Sequence, residues 1–137
     1  MRWKVAVVAI TAMCVVGPAA ASHPGALPGT TVCDPFVGAT WVNPYPPNEK
    51  GKHFQVIVSG KAFTCKVADA YVKKFVALKI KNTAKFGMPD GTVPGGPKGY
   101  DCTSGISHNG TAYQGHCMVP KPTPDSPWFS WGPYNDS

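Results

Sequence analysis

The sequence predicts an α+β fold, one main helix packed on a small antiparallel sheet in strand-helix-meander order and held by two disulfides. Three observations predict it. "HFQVIVSG", residues 53 to 60, alternates with period two and is rich in β-branched residues, while "FTCKVADAYVKKFVALKIKN" directly after it switches to helical spacing. Downstream, Asn109-Gly110 lies between two strand-like runs, the signature of a hairpin. An even set of four cysteines lies outside the first 21 residues, the pattern of a disulfide framework in an exported chain.

Export is read from the first element. "MRWKVAVVAITAMCVVGPAAA" carries Arg2 and Lys4, an apolar run from Val5 to Val16, a Gly17-Pro18 break and small residues up to Ala21, which is the organisation of a secretory signal peptide. The apolar run is about 12 residues, short of the ~20 that cross a bilayer as a helix. The expected division is a signal peptide at 1–21, a Pro-rich arm at 22–50 and a small α+β domain at 51–137. The mature chain is expected to be secreted, extracellular or associated with the cell envelope, with no transmembrane segment. Thirteen Lys and Arg, less Arg2 and Lys4, leave eleven lysines against seven acids and no arginine. Specific base or phosphate readout leans on the bidentate guanidinium, so a specific nucleic-acid partner is disfavoured.

The arm has prolines at 24, 28, 35, 44, 46 and 47, each lacking an N–H and restricting the residue before it. Residues 22 to 30 are expected to fray. Cys33 to Tyr45 is expected to be irregular or short-stranded and tied to the core, because Phe36, Trp41 and Val42 need burial. The strand at 53–60 presents Phe54, Val56 and Val58 on one face and ends at Gly60. In the helix, Cys65, Ala68, Val72, Phe75 and Val76 form the apolar stripe. Thr64 is placed to N-cap, Asp69 and Lys73 to pair on the exposed side, and Lys79 and Lys81 to complement the C-terminal dipole. "GMPDGTVPGGPKG" is a loop by composition. Strands are expected at 100–106, 111–119 and 127–132, with "KPTPDSP" separating the last two.

The hairpin sets a register. With Asn109 and Gly110 as the two central residues of a type I′ turn, Ile106 falls opposite Tyr113, Thr103 opposite His116 and Cys102 opposite Cys117. A Cys102–Cys117 disulfide follows, which leaves Cys33 with Cys65; the rival connectivity pairs Cys65 with a sheet cysteine. The simple count puts Cys102 and Cys117 at a hydrogen-bonded site, where Cα atoms are ~5.5 Å apart, and Gly105 or Gly115 offers a place for a bulge. A zinc site from Cys102, His108, His116 and Cys117 has the right atom types but needs the strands to collapse, because His116 and Cys117 point to opposite faces.

The succession "FTCKVADAYVKKF", "GYDC", "GHC" and "WFSW" resembles a small secreted domain of actinobacterial proteins, in which a cysteine opens an Ala-rich helix and two later cysteines lie on a hairpin. The resemblance spans about residues 53 to 132. That group is mostly of unassigned function, so the resemblance implies a fold and an exported setting and carries no catalytic residue onto this chain.

Catalytic constellations are sparse. Glu49 is the only Glu and the six Asp are scattered, which disfavours a two-carboxylate hydrolase. No G-x-S-x-G motif is present. Cys65 at a helix start has the setting of an activated thiolate, but export makes it a half-cystine first. No cofactor or metal is expected. The binding candidates are surfaces. Residues 50 to 85 hold nine lysines and one acid, and Lys66, Lys73 and Lys74 form an expected face for an anionic envelope polymer or an acidic extracellular protein. "SPWFSWGPY" offers Trp128, Trp131 and Tyr134 as an aromatic contact surface, with Trp128 and Ser130 facing one way and Phe129 and Trp131 the other. The expected function is a non-catalytic, secreted binding module. The alternative is a protease inhibitor presenting the loop after Cys117, "MVPKPTPDSP"; a small hydrolase using His53 or His116 comes third.

Overall fold

A computed structural model describes residues 27–43, 49–81, 90–107 and 109–135. The expected signal peptide and His108 lie outside the described residues. In chain order the elements are β1 (Thr30–Val32), β2 (Phe36–Val42), β3 (Lys50–Ser59), α1 (Cys65–Ala77), β4 (Asp90–Thr92), β5 (Asp101–Ile106), β6 (Ala112–Met118) and β7 (Trp128–Pro133). The seven strands form one antiparallel sheet in the order β1-β3-β7-β6-β5-β4, with β2 also pairing to β3. The sheet is therefore the bulk of the fold, not the small partner of a dominant helix.

Two further strands come from the Pro-rich arm, where the short-stranded form expected for Cys33 to Tyr45 is realised as β2 and residues just before it form β1. Pro28 precedes β1 and Pro35 lies between β1 and β2, so neither removes a ladder hydrogen bond. Between them "TTV" and "FVGATWV" are β-branched and aromatic enough to pair with β3, Thr31 opposite Val58 and Phe36 opposite Phe54. The β2–β3 register shifts between Val37 and Trp41. The arm is thus part of the sheet, and β3 begins at Lys50, inside the expected arm.

The helix forms as the apolar stripe predicts, with Ala68, Val72, Phe75 and Val76 buried. Thr64 caps it, its hydroxyl accepting from the Val67 N–H at 3.3 Å. The helix stops at Ala77, earlier than expected, because Leu78 turns extended and Ile80 donates its N–H to the Gly110 carbonyl at 2.9 Å. Lys79 and Lys81 follow the last turn and Lys74 lies within it. Asp69 is half-buried, a correction to its expected exposed pairing with Lys73, whose Nζ lies 5.1 Å from the centre of the Phe36 ring.

The core lies between α1 and one sheet face. Phe54, Val56 and Val58 of β3 and Phe129 and Trp131 of β7 point inward, and Ile57 and Ser130 outward. Phe63 packs edge-on against Phe129 at 4.9 Å and against Tyr100 at 5.0 Å, and Phe75 meets Trp131 at 5.3 Å. Each such ring contributes about 1.5–3 kcal/mol by burial. The sheet curls so that the β5–β6 tip reaches the end of β2: Asn109 Nδ2 and Thr111 Oγ1 both donate to the Thr40 carbonyl, at 2.6 and 2.9 Å.

The hairpin corrects the expected turn while keeping its outcome. Ser107 donates its N–H to the Thr111 carbonyl at 2.9 Å, so 107 and 111 close the hairpin in place of 108 and 111, and Gly110 lies in the left-handed region at φ +84°. Ile106 accordingly pairs with Ala112, not Tyr113. Tyr113 is then an extra residue in β6, and this bulge beside Gly105 restores the register, so that Gly105 faces Gln114 and Cys102 faces Cys117. Because the bulge also swaps the hydrogen-bonding phase, the cysteines occupy a closer site, Cα to Cα 4.1 Å, and bond. The second disulfide joins Cys33 to Cys65, with 5.5 Å between Cα atoms. Neither Cys65 as a thiolate nor Cys102 and Cys117 as zinc ligands is compatible with these bonds.

Candidate functional site

Two surfaces on opposite sides of the core carry the candidate residues. The first is the outer face of α1. Successive residues advance by 100°, so Lys66 and Lys73 stand one above the other two turns apart, with Lys74 beside them, and all three are exposed. Lys73 extends over Phe36 and Lys74 lies 6.0 Å from the Tyr71 ring centre, contacts that narrow the range of each side chain. Asp69 is the single acid between residues 50 and 81 and is half-buried, with one carboxylate oxygen enclosed and lacking a hydrogen-bond partner. Burial pushes its pKa above the usual value; Lys73 opposes the shift and Asp34 adds to it. Lys66, Lys73 and Lys74 outnumber this one carboxylate, so the exposed face of the helix is net positive.

The second surface is the sheet face turned away from α1. Cross-strand pairing sets Thr92, Thr103, His116, Ser130 and Ile57 in one row. Thr103 Oγ1 and His116 Nε2 lie 3.3 Å apart, a hydrogen bond whose direction follows the imidazole tautomer. Along this row is a groove of about 490 Å³ whose lining includes Thr103, Gln114, His116 and Ser130, together with Trp131 and the β5 and β6 residues between them. Gly132, one step beyond Trp131 on the same face, also leaves the surface bare, since a Cβ there would meet nothing within 4 Å.

The aromatic surface expected near the C-terminus is divided. Phe129 and Trp131 point into the core and Trp128 outward, as the alternation predicts, but Trp131 is only 3% exposed and donates its Nε1–H to the Ala112 carbonyl at 3.0 Å. It is a core residue, although it also counts among the residues that line the groove. Trp128 and Tyr134 are half-buried, and Tyr134 donates its backbone N–H to His53 at 2.9 Å. The loop after Cys117 is exposed from residue 120 to 125 and closed on itself, with Thr123 N–H donating to Ser126 Oγ at 2.8 Å.

The expected lysines are thus brought together, the disulfides are formed, and the expected aromatic trio is separated. Sequence reasoning did not assemble the groove, although its signal was present in the outward positions of β5, β6 and β7, which carry Thr, Gln, His and Ser. Among the described residues no group of three or more His, Cys, Asp or Glu side chains converges as a metal site, and no helix is long and apolar enough to cross a membrane. Comparison with protein-family models, with curated proteins and with solved structures finds no match to this chain.

Proposed function

We propose that this chain is an exported, non-catalytic binding module, of the actinobacterial secreted type that its motifs resemble, and that its α1 face engages an anionic polymer of the cell envelope. The observation that carries this reading is the placement of Lys66, Lys73 and Lys74 on one exposed helix face while Asp69, the single acid of the segment, is half-buried. Two disulfides support the exported setting, since such bonds persist in oxidising compartments. Long-range attraction by an unneutralised lysine face raises the encounter rate with an anionic chain and weakens as salt screens it.

The test is retention on immobilised polyglycerol phosphate. Binding is expected to fall steeply between about 20 and about 200 mM salt. Replacing Lys66, Lys73 and Lys74 together by Gln is expected to weaken it about tenfold, roughly 0.5 kcal/mol per lysine, with the unfolding midpoint nearly unchanged. Affinity that ignores both salt and the triple substitution overturns the proposal.

A further inference from the structure

We propose that the groove on the open sheet face binds a segment of a neutral, polyhydroxylated polymer, a glycan chain, independently of the lysine face. The lining chemistry selects the ligand class. Thr103 and Ser130 supply hydroxyls that donate and accept, Gln114 an amide that does both, and His116 a ring with one donor and one acceptor nitrogen when neutral. Among the described residues no Lys, Asp or Glu lines the groove. Such a set matches sugar hydroxyls, which are themselves donor and acceptor at once, and gives no charge with which to hold a phosphate, carboxylate or ammonium group.

The shape selects the same class. The strands bring these side chains to one face with their backbone spacing fixed by the ladders, Thr103 opposite His116 and His116 opposite Ser130, and the Thr103–His116 hydrogen bond restrains two of them before any ligand arrives. Gly132, two residues after Ser130 on β7, leaves that part of the face without a side chain, since a Cβ there would meet nothing within 4 Å. A volume of about 490 Å³ lies within the range of small-ligand sites. The groove is open to solvent, however, and suits part of a chain better than an enclosed small molecule. Trp128, half-buried, lies two residues before Ser130 on the same strand face, outside the residues that line the groove.

The experiment follows the backbone amides of isotope-labelled protein during titration with cellotetraose, chitotetraose and maltotetraose, each to about 10 mM. At least one is expected to shift the amides at 103–105, 114–116 and 130–131 while leaving α1 unmoved. Gln114→Ala and His116→Ala, both at exposed positions, are each expected to weaken that binding about tenfold. Added salt and the Lys66, Lys73, Lys74 triple substitution are expected to leave it unchanged. No shift with any of the three sugars overturns the proposal, as do shifts centred on α1 or lost with salt. Because the wild-type shifts locate the site directly, the result does not depend on how the variants fold. Failure here leaves the polyanion reading standing, and failure there leaves this one standing.

Discussion

Residues 30–77 and residues 101–133 each contain a Trp laid across a cross-strand Gly and each contain one disulfide. In the first half Trp41 lies opposite Gly51 and Cys33 is joined to Cys65; in the second Trp131 lies opposite Gly115 and Cys102 is joined to Cys117. The similarity ends there. Cys102 and Cys117 are already neighbours in a hydrogen-bonded ladder, whereas Cys33 and Cys65 tie the β1–β2 junction to the first turn of α1, segments that share no ladder. One disulfide reinforces an arrangement that backbone pairing specifies. The other ties the helix start to a sheet edge that otherwise meets α1 through side-chain packing, such as Lys73 over Phe36, and not through a backbone ladder.

Removing each disulfide separately gives the largest expected effects and ranks the two. The bonds span 32 and 15 residues. Chain entropy then assigns about 4 kcal/mol to Cys33–Cys65 and about 3 kcal/mol to Cys102–Cys117. Denaturant unfolding of the Cys33→Ala/Cys65→Ala and Cys102→Ala/Cys117→Ala variants is expected to show the first as the less stable. Losing the hairpin disulfide should also leave the β5–β6 amides protected from hydrogen exchange, since the ladder remains. The reverse order of stability would break the distinction between reinforcing and connecting staples.

The two Gly–Trp pairs give a smaller contrast. A Cβ on Gly115 would meet the Thr103 backbone carbonyl and come within 2.5 Å of the Trp131 ring; the three atoms nearest a Cβ on Gly51 all belong to the Trp41 ring. A ring can tilt and a ladder carbonyl cannot move without disturbing the strand. Gly115→Ala is therefore expected to cost about 3 kcal/mol and Gly51→Ala about 1–2 kcal/mol, the range for overpacked sites. Thermal unfolding of the two single variants measures the difference, and equal losses would show that the buried Trp41 is as rigid as backbone.

The same contrast explains what could be read without coordinates. The meander is legible because its information is local: alternation places Phe129 and Trp131 inward, and Asn109-Gly110 marks the turn. Even its error is instructive. The sequence suggests a two-residue turn, the molecule closes the hairpin at Ser107 and Thr111, and the bulge at Tyr113 returns the cysteines to register, so the disulfide was legible while the path to it was not. In the first half, the prolines leave Cys33 to Tyr45 irregular or short-stranded by local pattern; "FVGATWV" takes the short-stranded form, and "TTV" before it also pairs, because β3 offers an edge, a tertiary fact that no local pattern carries. The lysine face was legible from helical spacing. The groove was not, since it needs outward positions from three strands whose alignment depends on the same bulge.

Asp69 sharpens the comparison through pH, with the smallest effect. It lies four residues after Cys65, senses Asp34 beside Cys33, and keeps one enclosed oxygen without a hydrogen-bond partner; the meander's Asp101 is exposed. Burial raises its folded pKa above the ordinary 3.8, against the pull of Lys73. A carboxyl that holds its proton more tightly folded than unfolded contributes stability that is complete below that ordinary value and is lost as pH rises through the folded pKa. At neutral pH the native state carries an ionised, half-buried carboxylate that the unfolded chain hydrates better. Asp69→Asn is therefore expected to be more stable than the wild type at pH 7. The advantage should shrink on acidification and disappear below 3.8, where both side chains are neutral. Unfolding midpoints of the pair across this range measure it. If Asn is instead destabilising at neutral pH, the attraction of Lys73 exceeds the burial penalty, and the N-terminal half gains from the ion pair that its helix spacing suggests.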